Sequence, residues 1–163
     1  MTIEDTKFDT KASALETLGL FRVIFKSANR HFHEVEKKAG IGGASLWALA
    51  EILESNHLTV SALAKAMSVH QSTTSNLIEK LEAKGHVVRI RSLEDRRVVH
   101  LALTDQGREV LSKAPPPYRG VLPEALMHMN PEALDQLNSH LTQLITGMEH
   151  KLDGSAFEPL GMS

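Results

Sequence analysis

Between His57 and Asp105 the spacing of apolar residues changes from the period of a helix to that of a strand, and then back again. Leu63, Ala64 and Met67 recur at helical spacing behind Thr59, a residue suited to capping a short helix that runs through Met67. Leu77, Ile78 and Leu81 mark a second helix from about Gln71 to Lys84, and Gly85 suits the left-handed position beyond its last turn. The period then drops to two. In HVVRIR, Val88 and Ile90 share a face, and in VVHLAL so do Val99, Leu101 and Leu103. The polar stretch SLEDRR between them is the expected hairpin tip, and Thr104 is placed to cap a further helix to about Ala114. Two short helices around a tight turn, followed at once by a hairpin, leave few topologies open. The expected class is mainly α with a small β-hairpin.

Helical patterns flank this centre on both sides. Over 11–38, Leu15, Leu18, Phe25, Ala28, Phe32 and Val35 form an amphipathic stripe interrupted at Arg22, ending before Gly40-Ile41-Gly42-Gly43. Leu46, Leu49, Ala50 and Leu53 mark a helix over roughly 44–55. Pro115-Pro116-Pro117 cannot lie inside a helix, so the chain breaks there before a helical piece from Val121 to Met129. Pro131 opens a last helix with the stripe Leu134, Leu137, Leu141, Leu144, Ile145, Met148 and Leu152; beyond Asp153 the tail is expected to fray. The predicted organisation is an N-terminal helix over 1–42, a central helix-and-hairpin domain over 43–113, and C-terminal helices with the tail over 114–163, the two flanking parts being the candidates for dimerisation. Two long apolar stripes would overexpose a small monomer, which favours their pairing with a second copy; the alternative is that both cover the one central core.

Composition excludes several classes. No cysteine is present, which removes disulfides, thiolate metal sites and thiol redox sensing. No apolar run approaches a membrane-spanning length and the N-terminus MTIEDTKFDT is polar and acidic, so a soluble cytoplasmic protein without signal peptide or membrane span is expected. There is no Gly-rich phosphate loop, no G-x-S-x-G elbow and no paired-acid motif, so neither an enzyme nor a cofactor is expected. The formal net charge of −2 is unevenly spread. Residues 57–113 hold 9 Lys/Arg against 6 Asp/Glu, while 114–163 hold 2 against 6. The positive excess falls on the central module, a polarity that would orient the chain on DNA.

A helix-turn-helix needs a small residue where its helices cross, a Gly-like residue four positions on, and an aliphatic one about ten positions on. Those offsets fall on Ala64, Ser68 and Thr74. Residues 57–107 resemble the winged helix-turn-helix of the MarR family through LTVSALAKAM, LIEKLEAKG, and RSLEDRR followed by VVHLALTDQG. The Asp95-Arg96-Arg97 wing ahead of L-T-x-x-G is the most specific part, and with the flanking helices the resemblance covers about residues 11–150. Departures are Thr74 at a usually aliphatic position, Asn76 where Arg is frequent, and His70 at a usual Ser-type N-cap. The resemblance implies a homodimeric transcriptional regulator, a repressor released from a pseudo-palindromic operator by a small ligand. Each recognition helix would enter a major groove of double-stranded DNA and each wing an adjacent minor groove.

The residues fit that implication. Gln71, Ser72, Thr73, Ser75 and Asn76 make a short, polar, uncharged face at the start of the expected recognition helix; a bidentate Gln or Asn contact to adenine is worth about 1–3 kcal/mol of discrimination. His70 and Lys80 are suited to phosphate. A guanidinium suits the narrow minor groove, and Asp95 can brace one of Arg96 and Arg97 while the other probes. Arg96, at the tip, is the assigned probe; Arg97 is the alternative. Arg89 and Arg91 are expected on the exposed face of the first wing strand, at phosphate or in solvent. The resemblance also implies an effector pocket between the dimer helices and the DNA module, typically for small aromatic or phenolic compounds. Arg22, Phe25, His31 or His33, and Trp47 are its candidate lining. No two of the nine histidines are four apart, so no metal site is assigned. Two other classes fit less well: a winged-helix module that meets an acidic partner protein, and a metal-responsive regulator using histidines.

Overall fold

The computed structural model describes residues 3–55, 57–149, 151–152 and 154–159. In chain order the elements are α1 (Ile3–Ala39), α2 (Gly43–Glu54), α3 (Val60–Met67), α4 (Gln71–Ala83), β1 (Val87–Arg91), β2 (Val99–Leu103), α5 (Asp105–Lys113), α6 (Val121–Met127), α7 (Pro131–Thr146) and a short 3-10 turn, Ser155–Phe157. The fold is mainly helical with one antiparallel hairpin, in which Val87 faces Leu103 and Arg91 faces Val99. No helix among the described residues is long and apolar enough to cross a membrane.

Side-chain caps set several helix starts where the sequence places them. Thr59 Oγ1 accepts the Ala62 N–H at 3.2 Å ahead of α3, and Asn130 Oδ1 accepts the Glu132 N–H at 2.9 Å ahead of α7, whose first residue is Pro131. At α5, Thr104 works in two directions. Its Oγ1 accepts the Gly107 N–H at 3.0 Å and donates to the Gly85 carbonyl at 2.6 Å, tying the helix to the turn after α4. Gly107 must lack a side chain because a Cβ there would overlap the His86 carbonyl oxygen. This is the physical content of the L-T-x-x-G pattern. Gly85 has φ +72°, as its position after α4 demands.

The core lies among α1, α2, α3, α4 and the hairpin. Val35, Leu46, Leu49, Leu63, Ile78, Leu81 and Val87 are fully buried, with Leu101, Leu103 and Leu111 beside them. The segment before α3 joins the hairpin, since the Leu101 N–H donates to the Leu58 carbonyl at 2.8 Å. Pro115-Pro116-Pro117 ends α5 as expected, and His31 Nε2 donates to the Pro117 carbonyl at 3.0 Å, tying this break to α1.

Four details differ from the sequence expectation. α1 begins at Ile3 and not near residue 11. Leu53, expected to face inward, is exposed. In β1 the buried position is Val87, whereas Val88 and Ile90 are exposed; the register puts Arg89, not Val88, on the face shared with Leu101. HVVRIR offers two alternations, and the more apolar one is not the one that packs. Finally, the tail beyond residue 153 is not free of the body, because Phe157 packs on His70.

Two surfaces stand uncovered. On α1, Leu15, Leu18, Leu20, Val23 and Phe25 are exposed, with Val23 at 64%. At the other end, Leu144 and Ile145 on α7 are about half exposed, as is Met148 just beyond it, and Leu152 is largely so. Only the second half of α1, from Ala28 through His31 to Val35, buries a stripe within the described chain.

Candidate nucleic-acid interface

The helix-turn-helix is built with one strained residue. Ser68, at the Gly-like position of the turn, adopts φ 54° and ψ 41°, the left-handed region that disfavours a side chain. Ala64 is buried where the helices cross. Thr74 occupies the aliphatic position fully buried, its hydroxyl donating to the His70 carbonyl at 3.2 Å, so the polar atom is satisfied inside the helix. A threonine therefore serves where an aliphatic residue is usual.

α4 presents the polar face that the sequence promises. Gln71, Ser72 and Asn76 are exposed, and Thr73 and Ser75 are half-buried. None of these five side chains makes a hydrogen bond or ion pair within the described chain, so their donors and acceptors face outward unspent. His70 sits at the N-cap position without a side-chain cap, its N–H donating to the Phe157 carbonyl at 3.2 Å and its ring 4.9 Å from the Phe157 ring. Lys80, one turn beyond Asn76, is exposed and lines an open cleft with Asn29, His33 and Glu36 of α1.

The wing tip is an ordered loop. Ser92 Oγ accepts the Glu94 and Asp95 N–H groups at 3.2 and 3.4 Å, and the Val98 N–H donates to the Asp95 carbonyl at 2.9 Å. Asp95 Oδ1 accepts both the Arg97 backbone N–H at 2.9 Å and Arg97 Nε at 3.2 Å, and Oδ2 accepts Arg97 Nη2 at 3.4 Å. Those bonds hold the Asp95 carboxyl below its ordinary pKa, the backbone bond most, and keep it ionised. Arg96 has no hydrogen bond or ion pair among the described residues and is exposed. The geometry thus separates the two arginines, Arg97 being the braced one and Arg96 the free one. Arg89, expected as a free surface cation, instead pairs its Nε with Glu82 Oε2 on α4 at 3.2 Å, while Arg91 is exposed without a partner among the described residues.

Behind the turn lies an apolar cavity of about 420 Å³ between α1, α2, α6, α7 and the tail. Of the sequence candidates, Trp47 lines it; Arg22, Phe25, His31 and His33 do not. Its lining includes residues the sequence reading missed, among them Arg119, Leu122, Leu126 and Glu158. The Leu122 and Leu126 spacing on α6 was legible in retrospect, whereas nothing local marks Arg119 or Glu158. Trp47 Nε1 donates to Glu51 Oε1 at 2.8 Å, Arg119 Nε donates to the same oxygen at 2.7 Å, and Arg119 Nη2 bonds Glu54. Among the described residues no group of three or more His, Asp or Glu is arranged to hold a metal ion.

Comparison with known proteins bears on this geometry. Residues 39–98 match the family model described as MarR family. The chain is 33% identical over 86 residues to the HTH-type transcriptional repressor MdtR of Bacillus subtilis (strain 168), covering 53% of this chain and 56% of that protein, so it spans little more than half that relative's length. It is 28% identical over 127 residues to the transcriptional repressor MprA of Escherichia coli (strain K12), covering 76% of this chain and 72% of that one. Among solved structures, Sco3205 from Streptomyces coelicolor, a MarR family transcriptional regulator in complex with DNA, is similar in fold. It has a TM-score of 0.58 and 23% identity over 86% of this chain and 91% of that one. The transcriptional regulator BldR from Sulfolobus solfataricus has a TM-score of 0.53 and 29% identity over 84% and 98%.

Proposed function

We propose that this chain, whose residues 39–98 match the MarR family model, is a sequence-specific DNA-binding transcriptional regulator of that family that acts as a homodimer and represses until a small ligand releases it. The observation that carries the DNA-binding reading is the unspent polar face of Gln71, Ser72 and Asn76 on α4, backed by a wing whose Arg96 has no partner among the described residues. Short uncharged donors and acceptors read base edges in a major groove, and a free guanidinium suits the minor groove beside it. The DNA-bound Sco3205, similar in fold, supports that use of this scaffold, and the repressors MdtR and MprA support the direction of control. The proposed role goes with a cytoplasmic location.

Dimerisation is supported by the exposed stripes of α1 and of the α7 end, which lie on the first and last α-helices and flank the central module in sequence. Pairing them with a second copy would bury Leu15, Leu18, Val23, Leu144 and Ile145 together. Two-fold symmetry then sets half-sites about one helical turn apart, roughly 10 bp. Ligand response is supported by the cavity, which touches Met67, Ser68 and Val69 of the turn. The tail that closes it also holds the start of α4 through Phe157. A ligand that displaces the tail therefore moves the recognition helix. Electrophoretic shift with random and with selected duplexes tests the reading, and salt-sensitive, sequence-selective binding by a dimer is the expected result. Sequence-blind or absent binding contradicts it.

A further inference from the structure

The cavity beside Trp47 has a charge arrangement that restricts what can enter it. Its walls are apolar, with Met67, Leu122, Leu126, Met127 and Leu134. The one guanidinium on the wall, Arg119, is already held by Glu51 and Glu54, and those two carboxylates raise its pKa above the ordinary arginine value, Glu51 most. Glu158, from the tail, adds a carboxylate to the wall with no ion pair among the described residues. Arg119 and Glu158 are the charged residues of the lining, and with the Glu51 and Glu54 that hold Arg119 from outside the lining, three carboxylates stand against one guanidinium.

An entering carboxylate would have to win Arg119 from two intramolecular partners, and would bring its charge into a surplus of the same sign. An ammonium meets neither obstacle. The Trp47 N–H is taken up by Glu51, so what the indole has left for the cavity is its π surface, which attracts a cation. The volume of about 420 Å³ accommodates a single substituted ring system.

Building on the ligand-responsive reading above, we infer that this cavity selects lipophilic ligands without negative charge, preferring an organic ammonium to a neutral compound and refusing a carboxylate. Of the small aromatic compounds that the family resemblance implies, those carrying a carboxylate are the class it rejects.

Trp47 is the only tryptophan, so its fluorescence reports occupancy with no DNA present. The full-length protein is titrated with three matched probes: 4-tert-butylbenzylammonium, 4-tert-butylbenzyl alcohol and 4-tert-butylbenzoate. The ammonium should bind at least tenfold more tightly than the benzoate, with the alcohol between them. In the double variant Glu54→Gln with Glu158→Gln, two changes at exposed carboxylates, that ratio should fall below threefold. Equal or tighter binding of the benzoate overturns the inference, as does an unchanged ratio in the double variant or no response to any probe. DNA release is scored separately. An ammonium that quenches Trp47 yet leaves the DNA complex intact upholds the charge selectivity and refutes ligand-driven release.

Discussion

Replacing Arg96 with alanine should flatten the salt dependence of DNA binding and leave the fold untouched. Arg96 is the wing arginine with no partner among the described residues, so its removal breaks no hydrogen bond or ion pair of the described chain. Each cation that displaces a counterion from B-DNA adds about 0.9 to the slope of log affinity against log salt concentration. A dimer presents two copies of Arg96, so the slope should become shallower by about 1.8. Over the fourfold rise from about 50 to 200 mM salt, the variant should therefore lose about tenfold less affinity than the parent does. The assay is fluorescence anisotropy on one labelled operator at four salt concentrations, with a thermal melt of each protein alongside. Arg97→Ala serves as the contrast. It removes the side-chain bonds to Asp95, so it should loosen the wing loop and render it more sensitive to proteolysis, which Arg96→Ala should not. An unchanged slope in Arg96→Ala, together with a flattened one in Arg97→Ala, would transfer the groove contact to Arg97 and refute the reasoning.

Three further outcomes follow from particular contacts. Gly107→Ala forces a Cβ into the His86 carbonyl and should lower unfolding free energy by about 2–3 kcal/mol, read by chemical denaturation; a loss under 0.5 kcal/mol would show that the helix start can move aside. Ser68→Gly relieves a left-handed side chain and should raise stability by about 0.5–1 kcal/mol, with a fall in melting temperature contradicting the strain. His86 is buried, its Nδ1 without a hydrogen-bond partner among the described residues, and burial, followed by the nearby Lys84 charge, lowers its pKa from 6.5. The unfolded chain then binds the proton more readily, so this contribution to stability is present above pH 6.5 and declines as the pH falls below it. His86→Leu should lose less melting temperature than the parent between pH 7.5 and 5.5, and parallel losses would rule out His86 as the cause.

What could be read ahead of the structure divides along physical lines. Local signals were legible: Thr59, Thr104 and Pro131 start helices where expected, and Gly85 takes the left-handed conformation, because caps and turns depend on a few adjacent residues. The face of β1 was not, since Val87 and Val88 are neighbours and only pairing with β2 and the Arg89–Glu82 contact decide between them. The split between Arg96 and Arg97 needed the loop geometry, though the sequence had narrowed it to those two. The cavity was least legible. Arg119 meets Glu51 and Glu54 across 68 and 65 residues, and Phe157 reaches His70 from a tail too short to show any period. Contacts that distant leave no pattern in the chain.

Selection of duplexes from a random library by the full-length protein, followed by sequencing of the bound fraction, tests the central claim most directly. The account predicts an inverted repeat with half-site centres about 10 bp apart, bound by two protomers and weakened steeply by salt. Recovery of unenriched sequence, or of a single unpaired half-site bound by one protomer, would contradict it.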